Sequence, residues 1–531
     1  MPLPPGVSRR DFEAALREFE QVVGEDWVFS SAEDVALYRD AYSPFWDEDE
    51  ERLASAAVAP DGVEQVQAVV NIAGRYRIPL YAISTGRNLA YGGAAPALSG
   101  SVVLDLKRMN RVLEVSEKNA YALVEPGVSY FDLYRYIQDR GLKVWIDVPL
   151  PGWGSLIGNA LDHGAGVTPM RDHFSAQCGM EVVLANGDVL RTGMGALPGA
   201  ATWQQFKYGI GPLIDGLFSQ SNFGIVTKMG IWLLPEPEVV RSLRVIAPRH
   251  DDVIAMLEIL SNLFYSGVID SHVQLTSPVL NGARDAERAA LLARTATAED
   301  WDGAAERRNV PFWNLRLTFY GARKIVDARW EYARERYAAI RGVRYEDGPT
   351  YGFPMSADER SRVAEKNIVG IPSLSNFAGR TPANPEVADG HMDFSVIVPM
   401  DGRAVLEALK TLGHAFAEAG AGNLGTIQSF HTRALLLINS FPTMRGDRDA
   451  NRRVRAAYER AVKVAAEHGW GQYRVHAGFM DLALATYSFN DNALTRFHHA
   501  LKDGLDPNGI LSPGRYGIWP KHLRELKGSS A

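Results

Sequence analysis

An α+β chain of two domains is what this sequence predicts, and three observations carry the prediction. Its 531 residues exceed what a single hydrophobic core ordinarily organises. The first 237 residues hold short strand-like runs broken by glycine-rich segments, and the rhythm changes at Pro235-Glu236-Pro237. Beyond that point strand-like runs alternate with long helical ones, the pattern of helices covering one antiparallel sheet.

The elements follow in order. Ser8 can cap an opening helix in which Phe12, Leu16, Phe19 and Val23 recur at helical spacing, and Gly24 stops it. A second amphipathic run carries Val63, Val66, Val69, Val70 and Ile72, then leads into an apolar strand-like stretch, Ile78 to Ile83. Short β-rich runs are expected at Ser101–Leu106, Arg111–Val115 and Tyr121–Val124, and a helix near Tyr130–Arg140. Met180–Leu184 and Val189–Thr192 flank Asn186-Gly187, a hairpin signal because both turn residues tolerate positive φ. In the second half, strands are expected at Ser242–Ala247, Trp313–Tyr320, Met392–Val398 and Ala434–Asn439. Helices are expected near Asp251–Phe264, Arg323–Ile340, Ala404–Ala419 and Arg448–His468. The last stretch, Leu494 to Trp519, is expected to return to the first domain.

Composition closes off several function classes. A hydrophobic fraction of 46% and a charged fraction of 22% are those of a soluble globular protein. The formal net charge of -7 argues against a nucleic-acid partner, which requires a concentrated basic footprint. A single cysteine, Cys178, excludes an internal disulfide framework and a thiolate metal cluster, and reads as a small buried hydrophobe. No signal-peptide core and no membrane-length apolar run is seen, so the simple expectation is a soluble cytoplasmic protein. His498 and His499 are adjacent on a helix and do not share a face, so no metal site is expected.

Three glycine-rich segments carry the chemistry. They are Ser84-Thr85-Gly86-Arg87-Asn88-Leu89-Ala90-Tyr91-Gly92-Gly93, Gly152 to Asn159, and Ser221 to Thr227. Glycine lets the backbone approach a ligand, and consecutive amide N–H groups can cradle a pyrophosphate. None is a G-x-G-x-x-G fingerprint or a Walker A loop. One such loop alone is an ordinary turn more often than not; three in one domain suggest a large anionic cofactor lying along it.

Six segments then resemble a known family: 84–96, 121–134, 180–199, 218–233, Tyr473-Arg474-Val475-His476, and 506–520. The chain is similar to the vanillyl-alcohol oxidase and eugenol oxidase branch of the FAD-dependent 4-phenol oxidising enzymes, in the same superfamily as p-cresol methylhydroxylase. The resemblance implies a bipartite PCMH-type FAD-binding domain, residues 1–237 completed by a tail, 476–531. A cap domain, 238–475, would cover the isoalloxazine ring. It implies FAD contacts from Ser84, Thr85, Gly86, Arg87, Asn88, Gly92 and Gly93, from Pro126 and Gly127, and from Gly154, Ser155, Gly158 and Asn159. Gly224, Ile225 and Val226 would add a third strip, and Arg515 positive charge near the pyrimidine side.

His391, in Asp389-Gly390-His391-Met392-Asp393, matches the histidine that binds the flavin C8α covalently in the oxidases. A lone histidine before a strand is ordinarily structural; the resemblance favours the covalent link. Tyr91, Tyr473 and Arg474 match the residues that hold the substrate as a phenolate. Two O–H donors and a permanent cation lower a phenol pKa by stabilising its anion. Hydride then leaves the para benzylic carbon and a quinone methide results. The partners implied are a small phenol and O2, giving hydrogen peroxide, within a homodimer or higher homo-oligomer. The alternative is a dehydrogenase or hydroxylase passing electrons to a cytochrome, and a third reading is a flavin-binding protein with degenerate chemistry.

The chain also departs from its relatives. The aspartate expected beside flavin N5 is Leu150, and a tyrosine common in the branch is Val167. Asp393 stands two residues after His391, so strand alternation puts both on one face. It either supplies the lost carboxylate from the opposite wall or pairs with a nearby cation. His431 is expected to line the substrate cavity.

Overall fold

The computed structural model describes residues 2–149, 151–281, 286–294, 296–374, 390–418 and 426–528. Leu150 and the stretch 375–389 therefore lie outside the described residues.

The opening helix spans Arg9–Val23, with Ser8 Oγ accepting from Asp11 N, and ends at Gly24, whose φ of 91° only glycine adopts freely. Its buried side of Phe12, Ala15, Phe19 and Val23 shares one core with helix Val63–Tyr76. That core also packs a four-stranded sheet ordered Val28–Phe29, Ala56–Val58, Val102–Asp105, Leu80–Ile83. A second, antiparallel sheet runs Val112–Ser116, Tyr121–Val124, Ile225–Trp232, Gln177–Val183, Val189–Arg191. The Val183 to Val189 hairpin forms as expected, but only Gly187 (φ 84°) is left-handed. Asn186 needs no positive φ because its Oδ1 accepts from Asp188 N at 3.0 Å and closes the turn from the side chain.

The second half builds one seven-stranded antiparallel sheet. Its order is Arg344–Gly352, Val239–Ala247, Trp313–Gly321, Val273–Thr276, Thr426–Ser429, Ala434–Thr443, Gly390–Pro399. Leu315, Leu317, Val273, Leu275 and Ile427 point to one face and are buried in a core with helices Asp252–Tyr265, Arg323–Tyr337 and Arg448–Glu467. Intervening residues such as Asn314, Arg316, Gln274 and Gln428 point to the other face. Three strands of this sheet escaped the sequence reading. Arg344–Gly352 is an exposed edge with no apolar alternation, and Val273–Thr276 and Thr426–Ser429 are only four residues long.

The tail packs onto the first half. Leu80 N donates to Ile510 O at 2.7 Å, and Asn222 Nδ2 donates to Ser512 O and Ile518 O at 3.0 and 2.9 Å. Lys502 and Asp506 form a wholly buried pair at 2.8 Å there. Among the described residues no helix is long and apolar enough to cross a membrane.

Candidate active site

Strand Leu80–Ile83 ends where the first glycine loop begins. The loop folds back on itself, with Tyr91 N and Gly93 N both donating to Asn88 O at 3.2 and 3.0 Å. Against it lies helix Leu156–Leu161, whose cap Ser155 accepts from Gly158 N at 3.1 Å and donates to Pro126 O at 2.6 Å. Position 158 has no room for a side chain: a Cβ there would stand 2.3 Å from Ser84 Oγ.

These loops wall one end of a cavity of about 860 Å³. Ser84, Thr85, Gly86, Arg87, Asn88 and Gly93 line it from the first loop. Pro126, Gly154, Ser155, Gly158 and Asn159 line it from the second, and Gly224, Ile225, Val226 and Arg515 from beyond. Two of the expected glycines, Gly92 and Gly127, are not among the lining residues. Gly92 packs on the tail side, where a Cβ would meet Ala477 Cβ at 2.8 Å, and a Cβ at position 127 would stand 2.4 Å from Lys107 O. Both glycines answer a packing demand and stand outside the cavity lining.

A carboxylate that the sequence reading missed ties this wall together. Asp162 Oδ1 accepts from Arg515 Nη2 (2.6 Å) and Tyr516 Oη (3.1 Å), and Oδ2 from Asn88 Nδ2 (3.0 Å). Its backbone carbonyl accepts from Arg474 Nε at 2.5 Å. Burial opposes its charge, but Arg515 and Arg474 hold its carboxyl below the usual range. Arg515 also donates to Tyr81 Oη at 2.9 Å.

Tyr91, Tyr473 and Arg474 are brought together at the cavity. Tyr473 N pairs with Ser395 O at 2.9 Å and Ile397 N with Gly471 O at 2.9 Å, so residues 471–473 run beside strand Gly390–Pro399. The Arg474 guanidinium lies 5.3 Å from both the Tyr91 and Tyr473 ring centroids. Burial works against its charge, yet Tyr473, Tyr91 and Asp162 outweigh burial and raise its pKa. Its Nη2 is buried with no hydrogen-bond partner, whereas the Tyr473 hydroxyl donates to His163 O. Burial, reinforced by Asp393, keeps Tyr91 well above its ordinary pKa and therefore protonated.

The polar face of the large sheet closes the other side. His391 and Asp393 both line the cavity, and His391 Nδ1 is buried without a partner. Asp393 Oδ1 accepts from Ser440 Oγ at 2.5 Å. Val167 lines the cavity. His431 does not: it is exposed in the turn after Ser429, and its neighbour Phe430 forms the wall. Gln274, Arg316 and Gln428 also line the cavity, and none was singled out from sequence. The signal was present, since Trp313-Asn314-Leu315-Arg316-Leu317 alternates with period two.

An FAD fits these residues. A cleft lined by Gly86, Gly93, Gly154, Gly158 and Gly224 continues into one large cavity, where Asn222 Oδ1, His391 Nδ1 and Arg474 Nη2 are buried without partners. Fold and cavity together define an FAD-linked oxidoreductase. Residues 54–193 match the family model of the FAD binding domain, and residues 378–516 that of the C-terminal domain of FAD linked oxidases. The chain belongs to that family.

It is 34% identical over 526 residues to the 4-cresol dehydrogenase (hydroxylating) flavoprotein subunit of Pseudomonas putida, covering 97% of each chain. It is 31% identical over 577 residues to the 1'-carboxy-chondrochloren decarboxylase of Chondromyces crocatus, covering 97% of this chain and 99% of the other. The solved 4-ethylphenol oxidase from Gulosibacter chungangensis, in complex with isoeugenol, superposes with a TM-score of 0.86 at 34% identity. That match covers 98% of this chain and 100% of the other.

Proposed function

We propose that this enzyme oxidises para-substituted phenols at the benzylic carbon. The observation that carries the reading is Arg474, a cation at the cavity between two tyrosine rings, with one buried donor unengaged. A buried guanidinium with an open donor suits an anionic oxygen. The names of the Pseudomonas and Gulosibacter relatives, a 4-cresol dehydrogenase and a 4-ethylphenol oxidase, agree with that substrate class.

In this reading Tyr91 and Tyr473 donate to the substrate oxygen, the Tyr473 hydroxyl turning from His163 O to do so. Arg474 supplies the charge that lets the phenol ionise. When bound, FAD supplies the hydride acceptor, and His391 is proposed to hold it covalently. Residues 1–237 and 476–531 form the FAD domain and 238–475 the cap. Asp393 takes the acid/base place that Leu150 leaves empty of a carboxylate, and its hydrogen bond to Ser440 orients it.

Electrons are passed to O2, giving hydrogen peroxide; the second reading, favoured by the dehydrogenase name of the Pseudomonas relative, passes them to a cytochrome. Incubation with 4-ethylphenol under air, with peroxide and added cytochrome c followed in parallel, tests the proposal. Peroxide in step with phenol consumed is expected. Consumption coupled only to the cytochrome would favour the second reading, and consumption of no para-alkylphenol would overturn both.

A further inference from the structure

The cavity wall formed by the large sheet is a row of hydrogen-bonding side chains. Arg244 stands opposite Arg316, Arg316 opposite Gln274, and Gln274 opposite Gln428, across four adjacent strands. Directly opposed residues have Cβ atoms roughly 4.5–5.5 Å apart, so these side chains form one continuous strip. Arg316, Gln274 and Gln428 line the cavity, and Glu365 and Asn367 join them there. A phenol ring with a plain alkyl tail requires none of these groups, since small-molecule pockets are mostly apolar with a few placed polar contacts.

The strip has donors to offer. Glu365 Oε2 accepts from Arg316 Nη1, and its Oε1 lies 3.7 Å from Arg244 Nη2. One carboxylate thus faces two guanidinium groups, Arg316 in the cavity lining and the half-exposed Arg244 outside it. Arg316 is largely buried, its side chain 18% exposed. Among the described residues, no hydrogen bond is made by its Nε or Nη2, nor by the amides of Gln274 and Asn367. Gln428 Oε1 meets His272 Nε2 at 3.3 Å. Burial first, then the charge of Arg316, pushes the His272 pKa down to about 3, so this histidine is neutral.

The strip also has a definite place relative to Tyr473. The Tyr473 ring lies 5.9 Å from that of Phe430, and Phe430 stacks on His272 at 5.4 Å. The wall therefore begins two ring contacts from the residues proposed to hold the phenol oxygen.

The geometry points to a substrate whose para substituent ends in a carboxylate, held by Arg316 with Gln274 and Asn367. The class is that of 4-hydroxyphenylalkanoates and related 4-hydroxyaryl acids. A carboxylate matches the planar donors of a guanidinium, and its bonds to a cation are stronger than those of a neutral group. An ammonium tail would face the open guanidinium donors of Arg316 and find no acceptor there, and an alkyl tail would bury the open donors of the strip unpaired. This inference rests on the phenol reading above.

Two measurements on the holoenzyme test it. The first is calorimetric binding of 4-hydroxycinnamate against 4-hydroxycinnamamide; neither has an sp3 benzylic hydrogen, so binding is read without turnover. The second is anaerobic flavin reduction by 3-(4-hydroxyphenyl)propionate, 3-(4-hydroxyphenyl)propionamide and 4-propylphenol. The acid should bind at least about tenfold tighter than its amide, and half-saturate reduction at a correspondingly lower concentration than either neutral tail. Arg316→Gln should bring the acid-to-amide ratio close to one, and Gln274→Leu should lower it. If 4-propylphenol reduces the flavin and the acid shows no advantage, the carboxylate inference is wrong and the phenol reading stands. If no phenol reduces the flavin and the cinnamate does not bind, both fall. Should Arg316→Gln fail to fold, the wild-type comparison decides alone.

Discussion

His391 Nε2 stands 3.9 Å from Asp393 Oδ1, both side chains leaving the same face of strand Gly390–Pro399. The relationship follows from the period of two along a strand. It puts a carboxylate beside the residue proposed to carry the flavin, in a chain where position 150 offers only leucine. Asp393→Ala should slow anaerobic flavin reduction by on the order of 10²-fold, the usual range for a lost acid/base group, while the melting temperature moves little. Reduction kinetics equal to wild type would leave Asp393 a structural partner of Ser440.

The proposed covalent link has a direct readout. On acid precipitation the yellow colour should stay with the wild-type protein and move to the supernatant with His391→Ala. Colour lost from the wild type as well would place the flavin in a non-covalent site.

Arg474 sets the sign of a pH effect. A cation beside the substrate oxygen lowers the phenol pKa, so flavin reduction should reach half its limiting rate well below the pKa of the free phenol. Removing the charge with Arg474→Gln should move that midpoint upward by about 1–2 pH units. Tyr91 does not titrate in this window, because burial and the Asp393 charge hold its pKa well above the ordinary value. A midpoint that stays in place would show that Arg474 does not act on the phenol oxygen.

Stability offers an independent prediction in the tail. Lys502 donates to Asn222 O at 2.8 Å and Leu511 O at 2.6 Å, and its partner Asp506 accepts from Ile510 N and Leu511 N at 3.0 and 2.8 Å. Lys502→Met would strand a buried carboxylate, which costs about 3–5 kcal/mol. Chemical denaturation should show that loss, with FAD retention falling alongside because Asn222 and Ser512 sit at the cavity.

Much of this site was legible in the sequence because it is made of local segments. The glycine loop at 84–93, the Tyr473-Arg474 pair and the alternation of His391 with Asp393 are each contiguous, and each lines the cavity. The missing parts depend on distant pairings. Asp162 acquires its meaning only when Asn88, Arg474, Arg515 and Tyr516 converge on it from three separate segments. Arg316, Gln274 and Gln428 become one strip only through sheet register, which short strands without a hairpin turn do not announce. Gly92 and Gly127 stand outside the lining, and a glycine crowded by a neighbouring segment looks the same in sequence as one required by a ligand. His431 lies outside the lining for a related reason: the alternation ends at Ser429, where the strand gives way to a turn.

The most direct test of the phenol reading is rapid anaerobic mixing of the holoenzyme with excess 4-ethylphenol, watched at the flavin absorbance. Complete bleaching of the oxidised band is predicted, with recovery on admitting air or an electron acceptor. A band that persists with 4-ethylphenol and with its hydroxylated and carboxylated analogues would contradict the account.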